Sequence, residues 1–108
     1  MKFDIVHHPI IENPWEYHIV DFHYTCEAGD ILEHYIDLSL KKDSVVRKLR
    51  FYGPRNVIIE QGFPLPTHGM EIWDVSNRGL ENIGVEVSDF EASPGSITFV
   101  AKEVVELD

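Results

Sequence analysis

The 108-residue chain is 44% apolar and 26% charged, the balance of an ordinary globular domain, which excludes a disordered tail and fits one core but not two. Its net charge of −10, from 19 acids against 9 lysines and arginines, argues against nucleic-acid binding, because phosphate contacts need a basic footprint. Cys26 is the only cysteine, which excludes an intramolecular disulfide and a cysteine-built zinc cage within one chain.

The amino end, Met1 to Pro9, lacks the apolar run of a secretory signal, and no stretch approaches the roughly 18 apolar residues of a membrane helix. A cytoplasmic protein without membrane attachment is expected. The charge is unevenly spread: Lys41 to Arg55 carries +5 and the remainder −15. Solubility is the plain reading of such an imbalance, and steering toward a basic partner is the sharper one.

Phe3 to Val6 reads as a first short strand, and His7-His8-Pro9 with Asn13-Pro14 as a loop whose prolines limit pairing. Neighbouring residues of an extended segment point to opposite faces, so His7 and His8 are expected to be solvated loop residues, not joint metal ligands. Trp15 to Cys26 and Ile31 to Lys41 follow as strands joined by the four-residue loop Glu27 to Asp30. With Cys26 facing Ile31, His23 lies opposite His34 and Asp21 opposite Ile36. The apolar set then changes face on both strands, near Ile19-Val20 and Ile36-Asp37. That pattern predicts a hairpin bending at a corner through a bulge, a one-residue slip being the alternative. The same register puts Asp21, His23 and His34 on one face, a donor set suited to zinc or iron. A solvated polar sheet face is the competing reading.

Val45 to Tyr52 alternates basic and apolar residues, as an edge strand protected by long cations does. After the turn Gly53 to Asn56, the wholly apolar Val57-Ile58-Ile59 predicts a strand buried on both faces. Gln61 to Gly69 is an irregular loop in which Phe63 and Leu65 either anchor on the core or project as a binding tip. The clearest folding signal is Gly69 to Lys102, three strands with two turns. Met70 to Val75 ends in the Asp74 to Gly79 turn, where a single helical turn fits. Ile83, Val85 and Val87 alternate with polar residues, and Ile97, Phe99 and Ala101 do so after the turn Ala92 to Gly95. Val104 to Leu107 extends the last strand or caps an edge.

No amphipathic run reaches the length of an ordinary helix. Seven to nine short strands predict a single all-β domain, an antiparallel sandwich or a partly closed barrel. Nucleophile-elbow, dinucleotide, phosphate-loop and zinc-protease patterns are absent, so neither a cofactor nor a catalytic residue is assigned and a non-enzymatic role is expected.

Leu49-x-Phe51, Met70-Glu71-Ile72-x-Asp74-Val75-Ser76-x-Arg78-Gly79-Leu80-Glu81, Val87-x-Asp89-Phe90-Glu91 and Gly95-Ser96-Ile97-x-Phe99 resemble a pattern in small, mostly uncharacterised bacterial domains. Some of these are grouped with immunity proteins of polymorphic toxin systems. The resemblance spans roughly the carboxy-terminal half and transfers fold better than function. It implies inhibition by occlusion, with an acidic face on a basic toxin. The contacts expected for such a face are Asp74, Glu86, Asp89 and Glu91, with Trp73 or Phe63 as aromatic anchor. The alternatives are a metal- or small-ligand-binding protein using Asp21, His23 and His34, and a homodimer formed through a sheet edge.

Overall fold

The computed structural model describes residues 6–26, 34–64, 70–89 and 95–107. They form eight strands: β1 (His18–Thr25), β2 (Tyr35–Lys42), β3 (Val45–Tyr52), β4 (Arg55–Ile59), β5 (Met70–Asp74), β6 (Val85–Asp89), β7 (Ile97–Ala101) and β8 (Glu103–Leu107). One antiparallel sheet has the order β1-β2-β3-β8 and the other β4-β7-β6-β5. The chain is therefore an all-β sandwich, and the two sheets do not close into a barrel. The expected strand over Phe3 to Val6, the Glu27 to Asp30 loop, Leu65, Glu91 and the Ala92 to Gly95 turn fall partly or wholly outside the described residues.

Alternation places the core between the sheets. Ile36, Leu38, Leu40, Leu49 and Phe51 of the first sheet face Ile72, Val85, Val87, Phe99 and Ala101 of the second, each at most 2% exposed. Phe51 and Phe99 meet edge to face across the gap, ring centroids 5.0 Å apart. Burying a side chain of this size is worth roughly 1.5–3 kcal/mol, so the pattern of period two sets which face of each strand turns inward.

The sheets are joined at one corner. Strand β3 passes into β4 through Gly53-Pro54, with Gly53 at φ 62°, and β7 passes into β8 through Lys102 alone. Strand β3 pairs with β8 while β4 pairs with β7, so two adjacent strands change sheet together. The Lys102 N–H donates to the Tyr52 carbonyl at 2.8 Å, holding the bend. Gly84 closes the corner from the other side: its N–H donates to Ala101 O at 2.9 Å and its carbonyl accepts from Val75 N–H at 3.0 Å.

Three expectations change. The β1–β2 ladder pairs Tyr24 with Ile36, His23 with Asp37 and Phe22 with Leu38, so the register differs by three residues from the one expected. A bulge does lie between Ile19 and Asp21, where the apolar set changes face, but it bends β1 only; β2 keeps Ile36, Leu38 and Leu40 inward throughout. Strand β3 is not an edge, because the carboxy-terminal strand β8 covers it. Val57-Ile58-Ile59 is not buried on both faces either: β4 is an edge strand, with Ile58 54% and Ile59 46% exposed. Apolar runs of this length do not reveal whether a neighbour exists on each side.

A Cβ on Gly84 would sit 2.5 Å from the Lys102 carbonyl oxygen, a backbone atom held in the corner. Gly84→Ala is expected to cost about 1–3 kcal/mol, read as a fall of several degrees in the midpoint of thermal unfolding. An unchanged midpoint would show that the corner is not packed as described.

Candidate functional site

Residues 6–17 cross the second sheet before entering the first. Asp74 N–H donates to Val6 O at 2.7 Å and His8 N–H donates to Ile72 O at 2.8 Å, with His7 bridged to Trp73. This strap covers the outer edge of β5, which would otherwise offer unpaired amides and carbonyls. The 3-10 turn Pro14–Glu16 then turns the chain into β1. Arg47 binds the strap's other end: its guanidinium forms a bidentate pair with Glu106 at 2.7 and 2.8 Å and also donates to Ile10 O at 2.9 Å. That pairing lowers the Glu106 pKa and raises the Arg47 pKa, the hydrogen bond being the main cause in both.

Of the histidine pair, His7 is exposed as expected, 59% of its side chain, whereas His8 is not solvated in full. His8 is half-buried, and its Nδ1 accepts the Ile10 N–H at 3.0 Å, which leaves the neutral ring's proton on Nε2. Burial lowers its pKa from 6.5, offset in part by Asp74. His7 packs edge to face on Trp15, centroids 6.3 Å apart, and its Nδ1 lies 3.6 Å from Glu71. A groove of about 520 Å³ opens beneath the strap, lined in part by His8, Ile11, Pro14, Trp15 and Ile72. The prolines conceal this segment in the sequence, because a strap that pairs through only two backbone bonds has no periodicity to detect.

The outer face of the second sheet carries one continuous row. Trp73 pairs with Glu86, Glu86 with Val100, and Val100 with Arg55. The Trp73 indole N–H donates to Glu71 at 2.9 Å, while Arg78 lies 3.6 Å from Glu86. Beside this row runs a shallow trough of about 240 Å³, its walls including Ile58, Thr98, Val100 and Glu86. Glu86 thus stands between the apolar Trp73 and Val100, Arg55 closes the row at β4, and Ile58 lies along the trough.

Not every residue expected on this face lies there. Trp73 and Glu86 are cross-strand neighbours, but Asp74 pairs with Val85 at one end of the β5–β6 ladder and Asp89 with Met70 at the other. Four steps along the strand separate those ends, about 13 Å. Asp74 accepts from the Ser76 hydroxyl at 2.6 Å and amide at 3.0 Å. These bonds lower its pKa, the hydroxyl contributing most, and open the 3-10 turn Ser76–Arg78. Phe63 does not project as a tip: it is half-buried against the core, edge to face with Phe22 at 5.3 Å. Glu91 lies outside the described residues. Glu71, Arg55 and Arg78 were not singled out by their sequence; only the pairing of the strands brings them to this row.

The histidine site of the first sheet separates. His23 Nδ1 lies 3.1 Å from Asp21, both exposed, but His34 precedes β2 and stands out of register with His23. Among the described residues no group of three or more His, Cys, Asp or Glu is placed to hold a metal ion. The neighbouring outer face is engaged internally: Arg50 pairs bidentately with Asp37 at 2.8 and 2.9 Å and lies 3.9 Å over the Tyr35 ring. No helix among the described residues is long and apolar enough to cross a membrane.

Comparison with family models, with curated proteins and with solved structures returned no match.

A lowered histidine pKa means the unfolded chain binds the proton more tightly, so His8 contributes stability above about pH 6.5 that fades as pH falls toward its folded value. Thermal unfolding midpoints are expected to decline between about pH 7 and about pH 5.5. They should decline less in His8→Asn, whose amide oxygen can accept from Ile10 without titrating. Identical slopes for the two proteins would contradict this role.

Proposed function

We propose that the protein is a non-enzymatic, acidic protein-binding module that covers a basic surface of its partner, in the manner of an immunity-type inhibitor. The observation that carries this reading is the unequal charge of the two sheets. In the strands and hairpin turn of the first, Asp21, Asp37, Asp43, Glu103 and Glu106 are matched by Lys41, Lys42, Arg47, Lys48 and Arg50. Around the strands of the second, the six acids Glu60, Glu71, Asp74, Glu81, Glu86 and Asp89 meet three cations among the described residues, Arg55, Arg78 and, at the corner, Lys102.

Apart from Arg55, the basic segment of the sequence is thus spent within the first sheet, where Arg47 and Arg50 are held by Glu106 and Asp37. The excess negative charge stays with the second sheet, on whose outer face Trp73 stands next to Glu86. A half-buried aromatic within a charged border is the composition of an interface centre, because aromatic burial supplies affinity while the charges set approach and orientation. Steering of this kind speeds association and weakens as salt screens it.

The test uses the product of the neighbouring reading frame, co-expressed and purified, with affinity followed by titration calorimetry and association by stopped-flow fluorescence. A complex is expected whose association slows with salt. Trp73→Ala should weaken it by about 2 kcal/mol or more, and Glu86→Lys should chiefly slow association. Absence of a complex, or a complex indifferent to both substitutions, overturns the proposal.

A further inference from the structure

The four outer edges of the two sheets are not treated alike. The strap of residues 6–8 covers β5, a bulge at Val20 distorts β1, and β8 carries Glu103 and Glu106. Strand β4 is also bulged, between Arg55 and Ile58, yet exposes Ile58 and Ile59 at 54% and 46%. Long apolar edges without a cover invite another strand.

The sequence around Ile58 is complementary to itself once the bulge is taken into account. Arg55 stands opposite Val100 and Ile58 opposite Thr98, so three residues of β4 span two steps of the ladder. Glu60 lies two steps beyond Ile58 on the other side and continues the ladder, its N–H donating to Ser96 O at 2.9 Å. A two-fold axis through Ile58 would therefore set Ile58 against Ile58, Ile59 against the bulge at Asn56-Val57, and Arg55 against Glu60, twice. Arg55, Ile58 and Glu60 all fall on the outer face, by their pairing and spacing. Arg55 Nε is buried and has no hydrogen-bond partner among the described residues, and neither side chain has an ion pair there.

We infer that the partner of this edge is a second copy of the chain, joined antiparallel through β4 about Ile58. The two second sheets become one continuous sheet of eight strands, with reciprocal Arg55–Glu60 pairs at the two ends of the junction. Two Trp73–Glu86 rows then lie on a single outer face, related by the two-fold axis. A junction of one short strand from each copy falls at the small end of interface sizes, and both copies are acidic, so the dimer is weak and concentration-dependent. This inference does not depend on the binding role proposed above.

The test is sedimentation velocity on the full chain from about 10 µM to about 1 mM. A reversible monomer–dimer equilibrium is expected. Ile58→Lys, Arg55→Glu and Glu60→Arg should each raise the dissociation constant about tenfold or more, with thermal unfolding midpoints unchanged for the exposed Ile58 and Glu60 and cooperative unfolding retained in Arg55→Glu, where the replaced Nε is buried. The doubly reversed variant, Arg55→Glu with Glu60→Arg, should restore association, since the pairs reform with exchanged signs. A chain that stays monomeric throughout overturns the inference. So does a dimer that all three single variants leave intact, and so does a double variant that remains folded but fails to recover.

Discussion

The corner at which two paired strands leave one sheet and enter the other is the constraint on which the rest of this structure depends. One residue, Lys102, connects β7 to β8, and Gly53-Pro54 connects β3 to β4. With so little chain available, the two bends must coincide, and the Lys102 N–H to Tyr52 carbonyl bond keeps them together. Gly84 can approach the Lys102 carbonyl only because it lacks a side chain. Turning at this point brings Phe51 over Phe99 and assembles the core from both sheets.

The arrangement of charge follows from the same connection. Since β3 becomes central in the first sheet, its Arg47 and Arg50 lie beside acids of β8 and β2 and are neutralised there. Strand β4, continuing past the corner, becomes an edge of the second sheet and carries Arg55 alone toward a row that ends at Trp73. The strap over β5 completes that sheet and leaves β4 as its open side. A balanced sheet and an acidic one are thus consequences of where the chain crosses, not of separate charge blocks in the sequence.

Much of the fold is legible in the residues. The alternation of Val85 and Val87, and of Ile97, Phe99 and Ala101, identifies both the strands and their buried faces, and these positions are at most 3% exposed. The turn at Asp74 to Gly79 is equally plain, because Ser76 and Gly79 have the chemistry that turn uses. Register is less legible. His23 against His34 and His23 against Asp37 each give reasonable apolar pairings, and the bulge at Val20, which shifts the ladder by one residue, leaves no mark in composition. Whether a strand has one neighbour or two is a property of topology, which explains why Val45 to Tyr52 reads as an edge and Val57 to Ile59 as buried when the reverse holds. For the candidate site, Trp73 and Glu86 follow from their strand positions, whereas Phe63 points into the core because Phe22 offers it a ring to pack on.

The central claim is that the outer face of the second sheet, the sheet with the excess of acids, meets the partner while the balanced first sheet stays free. Amide and indole chemical-shift mapping of the labelled protein against its basic partner tests it most directly. The account predicts shifts concentrated at Trp73, including its indole N–H, and at Glu86 and Val100, with the outer positions of β1 and β2 around His23 and Asp37 unmoved. Shifts centred on that outer face of the first sheet, with Trp73 unchanged, would contradict it.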